Sequence, residues 1–268
     1  MQISELIRWF EAWAPPIWQE KWDNCGWQIQ PGVLGQPAGV LVCLTPTLAV
    51  MAEAIALKQQ GTPVNLIFAH HPLIFNPLKS VQTGDGIGDM IRLSITHGIG
   101  VYSAHTNFDQ VQDGTADMLA QLLDLQQPEP VVATQDGLGY GRVGHLPTPR
   151  SLDYLLKDIQ TALSPPDLIF SPAADLQQTI ERVAVLGGSG ASFLADVART
   201  GAQAYLTSDC KFHQFQEGRD RGIVLIDAGH YATERPACRR LAEKFQSLDL
   251  VWVKLSDRDE DFRQFRMH

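Results

Sequence analysis

Apolar residues recur along this chain in two periods. Ile3, Leu6, Ile7, Phe10 and Trp13 fall three and four apart, the spacing of one helix face. Pro15-Pro16 ends that helix, because proline lacks an amide donor and the residue before it avoids the helical region. Short unbroken apolar runs follow at 40–44, 64–68 and 99–104, and each reads as a buried strand. Helical patterns alternate with them. One starts at Thr45-Pro46-Thr47 and runs to about residue 60, a second spans 86–97 with Ile87, Met90, Ile91 and Ser94 on one face, and a third spans 114–125. Residues 17–32 and 76–85 read as loops. The first holds Trp18, Trp22 and Trp27, either as packing for a long loop or as the aromatic wall of a cleft.

The pattern breaks at Gln126-Gln127-Pro128-Glu129-Pro130, where a domain boundary is expected. Strands are expected at 131–134, 141–145, 182–186, 203–206, 223–226 and 250–255. Helices are expected at 151–163, from Gly187-Gly188-Ser189-Gly190 through Thr200, and at 233–247. The charged end, 256–268, is expected to fray. Alternation of strand and helix predicts an α/β fold of two domains with largely parallel or mixed sheets. The expected division is 1–126, completed by 235–268, and 127–234.

Composition narrows the class. The 268 residues are 44% hydrophobic and 19% charged, an ordinary globular balance, and the net charge of −9 argues against a nucleic-acid binder. None of the four cysteines, Cys25, Cys43, Cys210 and Cys238, falls in a CxxC pair, so neither a thiolate zinc knuckle nor a disulfide framework is expected. No apolar run approaches a membrane span, and the first residues lack a basic region followed by an apolar one. The expected setting is the reduced cytoplasm, without a membrane partner.

The candidate chemistry lies where strands end. His70-His71-Pro72 follows the 64–68 run, His105-Thr106-Asn107-Phe108-Asp109 follows the 99–104 run, and Asp227-Ala228-Gly229-His230-Tyr231-Ala232-Thr233-Glu234 follows the 223–226 run. In open α/β sheets, functional groups sit beyond the carboxyl ends of strands. Imidazole with carboxylate suits zinc, iron, manganese or nickel. His70, His71, Asp109, His230 and Glu234 are too many ligands for one tetrahedral ion with an open position. They suit two divalent ions sharing a bridging carboxylate. His105 or Glu234 is the candidate for moving a proton.

Other features stay open between two readings. Gly187–Gly190 is either a tight packing turn or a backbone cradle for phosphate, without the P-loop lysine or the full dinucleotide fingerprint. Lys211 and His213 either line a cleft or begin an exposed helix. Arg142 is either structural or an anion ligand. Ser103, Ser189 and Ser208 lack a nucleophile-elbow context, which argues against covalent serine catalysis.

Nearly end to end, the chain resembles the NIF-three-like proteins, also called YbgI-type dinuclear metal-centre proteins or GTP cyclohydrolase 1 type 2 homologues. The resemblance rests on Asp23-Asn24-Cys25-Gly26, residues 69–75, 103–109 and 139–144, Gly187–Gly190, Thr207-Ser208-Asp209 and residues 227–234. It implies two interlinked α/β domains with a dinuclear metal site between them at strand ends, and a toroidal homohexamer. It implies ligands at His70, His71, Asp109, His230 and Glu234, with His105 nearby in a proton-transfer role. Two departures stand out: Thr45, where such proteins often carry an acidic residue, and Ser208, where they often carry glycine. The expected function is metal-dependent hydrolysis of a nucleotide-like substrate, by resemblance GTP. The alternative is a non-enzymatic metal-binding hexameric scaffold or regulatory interaction partner. Turnover by protein restored with metal separates the two.

Overall fold

The apolar runs of the first half become neighbouring strands, and the helical patterns between them cover their faces. The computed structural model describes residues 1–135, 137–172 and 175–265. In chain order the elements are α1 (Ile3–Trp13), β1 (Gly26–Ile29), β2 (Gly39–Cys43), α2 (Leu48–Gln59), β3 (Leu66–Ala69), α3 (Gly86–His97), β4 (Gly100–Ser103) and a short α4 (Thr106–Asp109). Next come α5 (Thr115–Leu122), β5 (Gln126–Glu129), β6 (Val132–Gln135), β7 (Leu138–Tyr140), β8 (Arg142–Ser151), α6 (Leu152–Leu163) and β9 (Ile169–Phe170). The chain ends with β10 (Thr179–Val185), α7 (Leu194–Arg199), β11 (Ala204–Thr207), α8 (Phe212–Asp220), β12 (Val224–Asp227), α9 (His230–Gln246) and β13 (Trp252–Leu255). The chain packs as two units, Met1–Phe108 with Cys238–Glu260, and Asp109–Ala237 with Asp261–His268.

The sheet of the first unit has the order β1-β4-β3-β2-β13. β4, β3, β2 and β13 run parallel, and Cys43, Ala69 and Ser103 share one row of the register. Both faces of these strands are covered, which is why they read as unbroken apolar runs. Leu41, Cys43, Ile67, Ala69 and Val101 pack with Val50, Met51 and Ala54 of α2 and Met90 of α3. On the alternate positions, Phe68 meets Phe10 of α1 at 4.8 Å between ring centroids, and Tyr102 and Phe245 each at 5.1 Å. α2 begins at its Thr47 cap, whose hydroxyl accepts from the Val50 amide. Pro46 therefore precedes the cap instead of opening the helix.

The second unit carries a six-stranded sheet, β5-β8-β10-β11-β12-β9, and a hairpin, β6-β7. Only β10, β11 and β12 pair in parallel; the other pairings are antiparallel. The fold is thus mixed α/β, as the expected class allowed. One face packs Val183, Val185, Leu206 and Ile226 against Leu152, Leu155 and Ile159 of α6. The other packs Ala184, Tyr205 and Leu225 against Leu194 and Val197 of α7.

Several local expectations change. Residues 17–32 are not all loop: β1 lies among them, antiparallel to β4 with Gly26 opposite Ser103. The broken pattern at 126–130 is itself strand β5, exposed at every position and holding Pro128, as a sheet edge tolerates. Gly187–Gly190 leads into a single 3₁₀ turn, Ala191–Phe193, before α7. α9 starts at His230, ahead of the expected 233. The stretch after β13 is held, since the Asp259 carboxylate accepts from the Leu44 amide at 2.8 and 3.0 Å and the Ser256 hydroxyl donates to Glu53 at 2.5 Å. Residues 266–268 of the expected fraying segment lie outside the described residues.

Phe68 is wholly buried and central to the aromatic face of the first sheet. Phe68→Ala is expected to lower the unfolding free energy by about 3–5 kcal/mol, read as a lower urea midpoint with an unchanged slope.

Candidate metal centre

Parallel pairing delivers the histidines. His71 and His105 each stand two residues beyond the row that joins Ala69 to Ser103, and Thr45 stands two beyond Cys43 in the same row. Backbone bonds continue the pairing past the strands, from His70 N to Cys43 O at 3.1 Å, His71 N to Leu44 O at 2.8 Å and Ala104 N to Ala69 O at 2.9 Å. Adjacent strand ends therefore hold His70, His71 and His105 with one ligand atom of each within 4.8 Å of the others. Their rings pair at 5.2 to 5.7 Å between centroids.

The orientation of each ring is set through Nδ1. His70 Nδ1 lies 2.7 Å from Ala104 O, and a carbonyl only accepts, so this nitrogen carries the proton and Nε2 the lone pair. His105 Nδ1 lies 2.9 Å from the Asp23 carboxylate, with the same consequence. His71 Nδ1 meets the Thr45 hydroxyl at 2.8 Å. Asp23 is fixed in turn by the Thr106 amide at 3.1 Å, the Thr106 hydroxyl at 2.5 Å and the Cys25 thiol at 3.2 Å. Burial pushes the Asp23 carboxyl up, but hydrogen bonds from His105, Thr106 and Cys25 outweigh it and hold it well below the usual carboxylate range. Burial, reinforced by the Asp23 charge, pushes the Cys25 thiol up to about 12.

In the second unit, β12 ends in a glycine turn, with Gly229 at φ +86°, and α9 opens at His230. His230 Nδ1 lies 2.6 Å from Asp209 Oδ2, and its Nε2 lies 2.8 Å from Glu234 Oε2. Asp209 extends β11, the neighbour of β12, and adopts a left-handed backbone at φ +54°. Burial pulls the His230 imidazole down, but the Glu234 charge and hydrogen bonds to Asp209 and Glu234 raise it to about 10. That imidazole therefore sits between two carboxylates as a cation. A divalent ion suits the same place, taking Nε2 in exchange for its proton together with a Glu234 oxygen.

Gly187–Gly190 serves this carboxylate. A Cβ at Gly188 would lie 2.0 Å from Glu234 Oε1, and one at Gly187 would lie 3.3 Å from Glu234 Cγ. The backbone groups of Gly188 and Gly190 already have partners. Gly188 N donates to the Thr233 hydroxyl, Gly190 N to the Thr207 hydroxyl, and the Ser208 and Tyr205 hydroxyls donate to Gly188 O and Gly190 O. The loop is a packing turn that makes room for Glu234.

The structure thus brings together His70, His71 and His105 in one unit and His230 with Glu234 in the other. These His and Glu groups could hold a metal ion. Asp109 ends α4, four residues after His105, with its Oδ1 buried. Asp23, Thr45 and Asp209 were not among the sequence candidates, although each stands in a stretch already singled out. The usable signal was a short polar side chain at the end of a strand, or in the loop crossing such ends. Lys211 and His213 are exposed at the start of α8. Arg142 is buried, paired with Asp117 and donating to Gly139 O and Gly141 O at 2.7 Å, so its role is structural.

Comparison with known proteins finds relatives along nearly the whole chain. The family model described as Duf34/NIF3 (NGG1p interacting factor 3) matches residues 1–260. A "GTP cyclohydrolase 1 type 2 homolog" of Nostoc sp. (strain PCC 7120) is 69% identical over 265 residues, 99% of either chain. A Streptococcus pneumoniae protein of the same description is 33% identical, covering 86% of this chain and 85% of its own. Among solved structures, a hypothetical protein of Staphylococcus aureus superposes with a TM-score of 0.87 at 26% identity, over 99% of both chains.

Gly188 has φ +66°, so Gly188→Ala is strained by about 1–2 kcal/mol before any clash with Glu234. We expect a lower melting temperature than wild type and a displaced Glu234 side chain, read by calorimetry and crystallography. With its pKa near 12, Cys25 is almost fully protonated at pH 8. Its alkylation by iodoacetamide there should run at least about a hundredfold slower than that of an unperturbed thiol, measured by mass spectrometry of peptides.

Proposed function

For this chain, which belongs to the Duf34/NIF3 (NGG1p interacting factor 3) family, we propose a metal-dependent hydrolase built on a pair of divalent cations. His70, His71, Asp109, His230 and Glu234 would hold the pair. The observation that carries this reading is the treatment of the imidazoles. His70 and His230, both proposed ligands, each present Nδ1 to an oxygen that only accepts, which leaves Nε2 to face an ion. This is the support that metal-binding histidines characteristically receive. The donor set, imidazole with carboxylate, suits Zn, Fe, Mn or Ni.

When bound, the cations supply Lewis acidity and lower the pKa of water to near neutrality. The protein's part is to bind, orient and move protons. Asp23 keeps the His105 proton on Nδ1, so His105 Nε2 is the atom that accepts a proton from the attacking water and returns it to the leaving group. Glu234, held in its glycine pocket, orients as a ligand and serves as the second proton carrier. Relatives described as GTP cyclohydrolase 1 type 2 homologues support a nucleotide-like substrate, with GTP as the first to try. The assembly proposed with it is a homohexamer in the cytoplasm, which the family resemblance supports and sedimentation analysis reads. Among the described residues, no helix is long and apolar enough to cross a membrane.

Untagged protein purified without chelator is expected to carry close to two metal ions per chain by elemental analysis, and Glu234→Ala about one or fewer. With Mn, Fe or Zn restored, hydrolysis should appear in a nucleotide panel that includes GTP, and Asp109→Ala should abolish it with the oligomer intact. Metal-free protein that takes up none of these ions sinks the proposal. Metal-loaded protein with no turnover favours a binding scaffold instead.

A further inference from the structure

Two large aromatic side chains stand in solvent beside the histidine cluster. Trp22 is 58% exposed and Phe75 45% exposed, although aromatic faces are among the surfaces that gain most from burial. Their rings lie 5.9 Å apart and are tilted by 52°, so they make a corner, and the Trp22 ring meets the His105 ring edge-on at 6.1 Å. Both lie on segments that reach this site. Trp22 precedes Asp23, which holds His105. Phe75 follows Ile74, on the loop that begins with His70 and His71.

The loops that carry them are tied to each other. Asn24 Nδ2 donates to Ile74 O at 2.6 Å, Ile74 N donates to Gln28 Oε1 at 3.0 Å, and Gln28 Nε2 donates back to Asn24 O at 2.7 Å. The Cys25 amide donates to Gln19 Oε1 at 2.6 Å. These bonds hold the chain on either side of Trp22 and the residue before Phe75, so both rings are carried on braced backbone. A surface held ready in this way loses little conformational freedom when a ligand settles on it.

We propose that the exposed Trp22 ring is a stacking face, with the tilted Phe75 ring as a wall at its side, for a planar nitrogen heterocycle, the nucleobase-type ring of a substrate whose reacting part lies at the histidines. A flat aromatic face selects flat rings by stacking and is tolerant of which base it meets. The platform deepens the hydrolase reading by naming what the substrate carries. It rests on that reading only for what then happens to the ring, since stacking itself needs no metal.

The test is equilibrium dialysis of guanosine and adenosine against wild type, Trp22→Ala, Trp22→Phe and Phe75→Ala, in both chelated and metal-restored protein. Metal content is measured in parallel. Both nucleosides should bind the wild type, Trp22→Ala should weaken them about tenfold, and Phe75→Ala should weaken them measurably. Trp22→Phe should stay within about threefold, because it keeps an aromatic face. Ribose 5-phosphate, which lacks the ring, should not compete. Unchanged nucleoside affinity in Trp22→Ala, competition by ribose 5-phosphate, or no binding by wild type at millimolar nucleoside overturns the platform. A change of oligomeric mass in Trp22→Ala with unchanged nucleoside affinity also overturns it, and makes the pair a contact between copies. Chelated protein that still binds guanosine through Trp22, while no ion is taken up, would fail the hydrolase reading and keep the platform.

Discussion

Everything at the histidine cluster depends on the in-register parallel pairing of β2, β3 and β4. Parallel strands in register end in one row, so whatever follows them in sequence is brought side by side. Thr45, His71 and His105 are neighbours because each lies the same distance past that row. The pairing holds because both sheet faces are buried, one under α2 and α3 and the other under the aromatic cluster around Phe68. A slip of one residue would turn every side chain of a strand to the opposite face and carry its histidine away from the others.

The second constraint is the use of Nδ1. An imidazole at the end of a strand can rotate and can carry its proton on either nitrogen. A carbonyl or carboxylate at Nδ1 removes both freedoms. The partners are not equivalent: Asp23 and Asp209 are carboxylates, Ala104 offers a carbonyl and Thr45 a hydroxyl. A carboxylate raises the basicity of the ring it holds more than a hydroxyl does. His71 is therefore the least strongly backed of the four. An acidic side chain at position 45 would give it the stronger partner.

Around Glu234, backbone is shaped to suit a side chain. Gly187 and Gly188 are glycines because a Cβ there would occupy the space of Glu234 and of its helix. The left-handed backbone at Asp209, unusual outside glycine, places its carboxylate on His230. The hydrogen bonds of Thr207, Ser208 and Thr233 fix the glycine turn around the carboxylate.

The sequence by itself determined the alternation of strands and helices, the mixed α/β class and the strand ends that bear histidines. These follow from short-range signals: apolar period, run length and turn residues. It also drew attention to His70, His71, His105, His230 and Glu234 as residues of one chemistry. It did not determine β1 or β5, because a short edge strand with tryptophan or proline in it resembles a loop until it has a neighbour. Nor did it show what holds the imidazoles. His105 and Asp23 are 82 positions apart, His71 and Thr45 26, and His230 and Asp209 21. No periodicity spans such distances. Only the tertiary structure decides those partners, because they are set by which strands pair and in what register, and pairing is a property of the whole sheet.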